Sequence, residues 1–207
     1  MARRTKSSKR WIREHEADDF VKRAREAGWR SRAVFKLEEI QQRDRLIQSG
    51  MSVVDLGSAP GAWSQYARHL LKDSGDVYAL EILPMEPIAG VNFIQGDFCS
   101  EDTLGELVEL LSGRQVDLVL SDMAPNISGV TAVDQPRSMY LAELALEFAR
   151  QHLAQGGSFV TKVFHGEGFQ EFVADTRRSF ESVRARKPKA SRPRSREVYL
   201  VARNFRL

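Results

Sequence analysis

Lys162 lies within GSFVTKVF (157–164), a run of β-branched and aromatic residues that follows a glycine turn and reads as a buried strand. A charged amine is costly in such a place unless an acceptor or counter-charge meets it. Three other ionisable residues could join it. Asp122 ends the apolar run VDLVLSD (116–122), and Glu197 opens the strand-like REVYLVARNF (196–205). Lys36 lies beside, not opposite, the apolar face that Ala33, Leu37 and Ile40 form at helical spacing in SRAVFKLEEIQQRDR (31–45). Two amines and two carboxylates from well-separated segments make a plausible tetrad. Plainer readings compete: a buried Asp122–Lys162 salt bridge that only closes a sheet edge, or a Lys162 whose amine reaches water along its aliphatic stem.

A second cluster surrounds DLGSAPGAW (55–63), a strand-to-helix loop with Gly57 and Gly61. Glycine lets a backbone approach a ligand closely, but the spacing is G-x-x-x-G and Pro60 removes a donor, so a pyrophosphate is a poor match. Asp55 would repel phosphate and welcome an ammonium or sulfonium. Glu81, ending VYALEIL's strand (77–83), is placed to accept from two ribose hydroxyls, and Asp97, after VNFIQGD's strand (91–97), from an adenine amine. Ribose, adenine and a cationic amino-acid tail describe S-adenosylmethionine. A plain turn, which also favours glycine, is the alternative.

The elements that must position these groups alternate between strand and helix from residue 50 onward. Strands are expected at 51–57, 77–83, 91–97, 116–122, 157–164, about 181–185 and 196–205. Helices are expected at 62–72, 103–111, 136–153, with Pro136 near its start, and about 167–180. Such alternation predicts an α/β fold with a mostly parallel sheet covered on both faces. Ligands then bind beyond the carboxyl ends of the strands, where Asp55, Glu81, Asp97, Asp122 and Lys162 all fall. Residues 1–45 read as a basic helical extension and 46–207 as the catalytic domain.

The chain has 207 residues and a net charge of +3, which conceals an acidic middle between two basic ends. Residues 1–45 carry net +6, residues 177–207 net +9, and the stretch between them net −12. The segment RARKPKASRPRSR (184–196) is dense in Arg and Lys and broken by proline, which suits a phosphate backbone better than a merely solvated face. Arg186, Lys187, Lys189, Arg192, Arg194 and Arg196, with Arg32 from the other end, are the expected nucleic-acid contacts. Cys99 is the only cysteine, so no intrachain disulfide can form, and the Asn126-Ile127-Ser128 sequon carries no glycosylation message. His15, His69, His152 and His165 lack metal-ligand spacing, so no metal is expected. With neither a membrane-length apolar segment nor a secretory leader, a cytoplasmic protein is expected.

Lys36, Asp122, Lys162 and Glu197, in that order, resemble the K-D-K-E tetrad of RNA ribose 2′-O-methyltransferases. SRAVFKLEEI, VVDLGSAPGAWSQY, LPMEPIAGVNFIQGDF, DLVLSDMAPNISG and GSFVTKVF are similar to the bacterial FtsJ-type ribosomal RNA methyltransferases, from about residue 11 to the C-terminus. The resemblance implies a Rossmann-like methyltransferase fold: a seven-stranded sheet with its last strand antiparallel. It implies S-adenosylmethionine-dependent methylation of a uridine 2′-hydroxyl in large-subunit (23S) ribosomal RNA, acting on the assembled large subunit as a monomer. By position it assigns Gly61, Trp63, Glu81, Asp97 and Asp122 to the cofactor and makes Lys162 the proton acceptor. Two departures are mild: Ala62 replaces a second loop glycine, and Glu81 stands where the family has Asp. Whether Lys162 acts as a neutral base or as a cation orienting the hydroxyl stays open, because Lys36 and desolvation would lower its pKa while Asp122 and Glu197 would raise it. A catalytically silent RNA-binding assembly factor, a transfer-RNA or cap methyltransferase, and an NAD-dependent dehydrogenase are the competing readings.

Overall fold

The computed structural model describes residues 18–192 and 194–206. Among the described residues thirteen elements run in the order α1 (Asp19–Glu26), α2 (Val34–Asp44), β1 (Ser52–Leu56), α3 (Ala62–Leu71), β2 (Asp76–Glu81), β3 (Val91–Gln95), α4 (Glu101–Leu111), β4 (Val116–Ser121), α5 (Thr131–His152), β5 (Leu153–Phe164), α6 (Phe169–Ser179), β6 (Phe180–Arg186) and β7 (Glu197–Phe205). The strands form one sheet in the order β3-β2-β1-β4-β5-β7-β6. Strands β1 to β5 are parallel to one another, and β7 runs antiparallel to both β5 and β6. The expected Rossmann-like sheet with its antiparallel last strand is the one observed.

Alternation along each strand sends side chains to two cores. Val54, Leu56, Val119 and Phe159 face Leu107, Leu146 and Phe172 of α4, α5 and α6. Val53, Leu118, Leu120, Val160 and Tyr199 face Val34, Leu37 and Ile40 of α2 and Trp63 and Ala67 of α3. Helix α2, expected to belong to an N-terminal extension ending at residue 45, thus packs into the same core as the sheet. The extension's first 17 residues lie outside the described residues.

Two elements begin earlier than their composition suggests. Helix α5 starts at Thr131, so Pro136 sits inside it and not at its start; as the sixth helical residue it lies past the N–H groups that lack an intrahelical acceptor, and it removes the bond that would reach the Ala132 carbonyl. Strand β5 starts at Leu153, and an irregularity in its pairing with β4 precedes Ser158.

The chain passes from β1 outward to β2 and β3, then returns to place β4 on the other side of β1. This reversal opens a crevice at the carboxyl ends of β1 and β4. Gly57 follows β1 there and Asp122 follows β4.

Candidate active site

The β1–α3 loop and the segment after β4 lie against each other. Gly57 has φ +76°, and a Cβ placed on it would sit 2.7–2.8 Å from Met123 side-chain and backbone atoms, so only glycine allows the approach. Gly61 caps α3 at φ +104°, facing Met85 and Ile88. Arg30 staples the rim from outside, donating to the carbonyls of Pro60 (3.2 Å), Glu86 (2.5 Å) and Pro87 (2.7 Å).

Behind these loops lies a cavity of about 480 Å³ lined by Gly57, Glu81, Gly96, Asp97, Asp122 and Asn126, among others. The Glu81 carboxylate accepts from the amides of Ala59 and Leu83, both at 3.1 Å, and Asp97 accepts from the amide of Cys99 at 2.9 Å. Backbone amides therefore hold both acceptors in fixed positions. Ile82 and Leu83 stand 57% and 59% exposed at the wall, an apolar surface awaiting a cover. Acceptors, an apolar wall and room for a nucleoside fit an adenosyl cofactor.

Asp55 and Trp63 sit deeper than expected. Asp55 is fully buried; its Oδ2 accepts from the Ser64 hydroxyl at 2.6 Å, and its Oδ1 has no partner. Burial, with the neighbouring charges of Asp122 and Glu81, pushes its carboxyl up to about 7. The indole of Trp63, expected at the cofactor, is in the core: its Nε1 donates to the Ala33 carbonyl at 2.8 Å and its ring leans on Tyr199. What Trp63 offers a ligand is its backbone N–H, in the first helical turn where such groups lack internal acceptors.

The structure brings the four tetrad residues together. The parallel register pairs Ser121 of β4 with Thr161 of β5, which sets the next residues, Asp122 and Lys162, side by side. Lys162 Nζ lies 3.0 Å from Asp122 Oδ1 and donates to the Asp122 carbonyl at 2.6 Å. Lys36 Nζ of α2 lies 2.8 Å from Glu197 Oε1 at the start of β7. Tyr199 joins the pairs: its hydroxyl accepts from Lys36 Nζ at 3.2 Å and donates to Asp122 Oδ1 at 2.8 Å. Burial alone would raise the carboxyl of Asp122, but Lys162 and Lys36, with the hydrogen bonds from Tyr199 and Lys162, hold it below the usual range. Glu197 is likewise pushed up by burial and pulled further down by Lys36. Tyr199 escaped the sequence reading, although Glu197-x-Tyr199 on one strand places both on the same face.

On the far side of the tetrad a cavity of about 600 Å³ is lined by Arg32, Lys36, Arg192, Arg194, Arg196 and Glu197 from the two basic ends, with Ile127 and Gln135 opposite. The expected RNA contacts divide here. Arg186 makes a two-pronged bond to the buried Asp44, at 2.8 and 2.6 Å, fastening β6 to the end of α2. Lys187 donates to the carbonyls of Ser195 (2.6 Å) and Glu197 (2.5 Å), closing the loop on itself. Lys189 is exposed outside the cavity, its amide bonded to Glu39. Arg32 is engaged by Asp18 and the Ala190 carbonyl, and its guanidinium pKa is lowered by burial and by Arg192. Arg192, Arg194 and Arg196 line the cavity itself. Among the described residues no group of His, Cys, Asp and Glu is arranged to hold a metal ion.

A sheet of this order, with an acceptor-lined cavity at the β1–β4 crevice, defines a Rossmann-like methyltransferase. The chain belongs to the FtsJ-like methyltransferase family, whose profile matches residues 29–205. It is 60% identical over 205 residues to the ribosomal RNA large subunit methyltransferase E of Alkalilimnicola ehrlichii, covering 99% of this chain and 98% of that one. A crystal structure described as a putative ribosomal RNA methyltransferase from Plasmodium falciparum superposes with a TM-score of 0.78 at 28% identity, covering 86% of this chain and 98% of the other. A putative rRNA-methylase from Clostridium thermocellum, at 16% identity and a TM-score of 0.58 over 82% of this chain and 97% of its own, shares the fold.

Proposed function

We propose that the protein transfers a methyl group from S-adenosylmethionine to the 2′-hydroxyl of a uridine in large-subunit ribosomal RNA, with the assembled large subunit as substrate in the cytoplasm. The observation that carries this reading is the tetrad at the junction of the two cavities, acceptor-lined on one side and arginine-lined on the other. The match to a large-subunit methyltransferase over nearly the whole chain supports the choice of RNA.

Bound S-adenosylmethionine supplies a methyl group already activated by its sulfonium. Glu81 and Asp97 hold the nucleoside, Gly57 and Gly61 let the backbone close on it, and Asp122 faces it from the tetrad. The residues' remaining work is to align a ribose hydroxyl and remove its proton. Lys162 Nζ already has two acceptors on Asp122. A neutral amine there keeps both N–H bonds on Asp122 and turns its lone pair to the substrate. Lys162 Nζ would take the O2′ proton as the methyl carbon exchanges its bond to the sulfonium sulfur, which leaves as a neutral thioether, for one to O2′, and the resulting ammonium would rest against the Asp122 carboxylate. Lys36 and Glu197 position the sugar, while Arg192, Arg194 and Arg196 contact phosphates.

The test is labelled methyl transfer to large subunits lacking the modification, with wild type and Lys162→Ala side by side and nuclease mapping of the label. The expected result is a 2′-O-methyluridine from wild type only, at equal cofactor binding. Label from both proteins would remove Lys162 from the chemistry. No label from either, despite tight subunit binding, would leave an assembly factor.

A further inference from the structure

We propose that Tyr199 is a positioning residue of this reaction, its buried hydroxyl joining the Lys36–Glu197 and Lys162–Asp122 pairs into one directed hydrogen-bond chain. The inference rests on the tetrad reading and goes beyond it, since the tetrad's four residues would otherwise form two separate ion pairs. Tyr199 is among the largest fully buried side chains, at 0% exposure, and lies in the middle of β7 opposite Lys162 in the β5 register. An ordinary core position would be served by phenylalanine, because a buried hydroxyl has to find partners or lose its hydration uncompensated. This one has two, and both belong to the tetrad.

The direction of the chain follows from what each group can do. A lysine ammonium has only donors, so Lys36 must donate to the phenol oxygen. The phenol hydrogen is then free to go only to Asp122, whose Oδ1 also receives Lys162. The hydroxyl cannot ionise in the working range: burial first, then the negative charges of Asp122 and Glu197, hold its pKa well above the usual tyrosine value. Tyr199 is therefore a fixed donor to the carboxylate that orients Lys162. The indole of Trp63 leans on its ring, with centroids 5.5 Å apart, and holds it in place. The groups facing Asp122 from the surrounding elements are Lys162 of β5, Lys36 of α2, Tyr199 and Glu197 of β7, and Asp55 of β1. Removing the phenol takes away one donor that keeps Asp122 ionised.

The experiment compares Tyr199→Phe with wild type on large subunits, measuring kcat, KM, cofactor affinity, urea unfolding and the pH dependence of kcat. Removal of one charge-assisted bond predicts a fall in kcat of about ten- to a hundredfold. KM and cofactor affinity should stay within about threefold, since Tyr199 lines neither cavity. The acid limb of the profile should move to higher pH, because Asp122 then protonates more readily. Introduced into Lys36→Ala, the same change should cost clearly less than it does alone, since the upper half of the chain is already gone. An unshifted pH profile with kcat within twofold of wild type, or strictly additive effects with Lys36→Ala, would overturn the inference. If Tyr199→Phe fails to fold, site-specific 3-fluorotyrosine decides: a stronger donor should move the acid limb to lower pH, and an unmoved limb would refute the role. Lys162→Ala, run in parallel, separates the two readings. Full activity in that variant sinks the tetrad itself, whereas a dead Lys162→Ala beside a normal Tyr199→Phe sinks only the present inference.

Discussion

On the cofactor side of Asp122 the carboxylates of Glu81 and Asp97 are held by amides within two residues of the same loop or in the adjoining one. On the other side the charged groups are held by side chains from segments up to about 160 residues away, as in Lys36–Glu197 and Arg186–Asp44. The first arrangement is local and follows from strand ends in a parallel sheet. The second is assembled only when α2 has docked against β7 and the arginine loop has folded back. In the second half, charged side chains both line the cavity and keep its wall in place. Asp122 lines the first cavity and Lys36 and Glu197 the second, and Lys162 is paired to Asp122 where they meet.

The largest expected effect tests the junction. Lys162→Ala should lower kcat about a thousandfold in the methyl-transfer assay and leave cofactor affinity unchanged by calorimetry. Retained activity would mean that the two halves do not meet in the chemistry.

The next prediction concerns the buried carboxyl on the cofactor side. The folded pKa of Asp55, about 7, lies above its ordinary 3.8, so the protein is favoured while this group is protonated. That contribution is complete below about pH 4 and is lost as pH rises towards 7, reaching on the order of 4 kcal/mol. Asp55→Asn should remove this pH dependence and unfold at higher urea than wild type at pH 8, without cofactor. An unchanged profile would show that the orphaned Oδ1 is not what sets the slope.

Two arginines sharpen the contrast within the substrate side. Arg186→Ala leaves Asp44 buried without its partner and should cost about 3 kcal/mol in urea unfolding. Arg196→Ala should leave stability alone. Its effect should appear in subunit binding, lowering the log–log salt slope by about 1. A stability loss in Arg196→Ala or none in Arg186→Ala would invert the division between contact and support.

The same division explains what could be read from residues alone. The placement of Glu81, Asp97 and Asp122 around one cavity was legible because they fall at the carboxyl ends of strands, whereas Asp55, one residue inside β1, turns into the core instead. Lys162 was legible because a lysine is conspicuous among FVT and VF. For Trp63 the neighbours fixed a position at a helix start but not the direction of the indole, which packs on Ala33 and Tyr199. Arg186 looked like its neighbours in a basic run; only the fold reveals Asp44, 142 residues earlier, as its acceptor. Tyr199 resembled any core aromatic of a strand, and nothing local announced the two partners of its hydroxyl. Helix α2 was set apart by its polar surroundings, while the faces that tie it to the sheet are spread over Val34, Leu37 and Ile40.

Strand β7 is paired on both sides, to β5 and to β6, and it carries Glu197 and Tyr199. Amide protons on such an interior strand exchange only through openings that approach whole-molecule unfolding. Tyr199 therefore lies within the doubly paired stretch, whereas Glu197, at the strand's start, is paired to β5 alone. On warming, methyl transfer and the amide protection of β7 should disappear together in a single transition, and heat-inactivated molecules with an otherwise intact sheet should not accumulate.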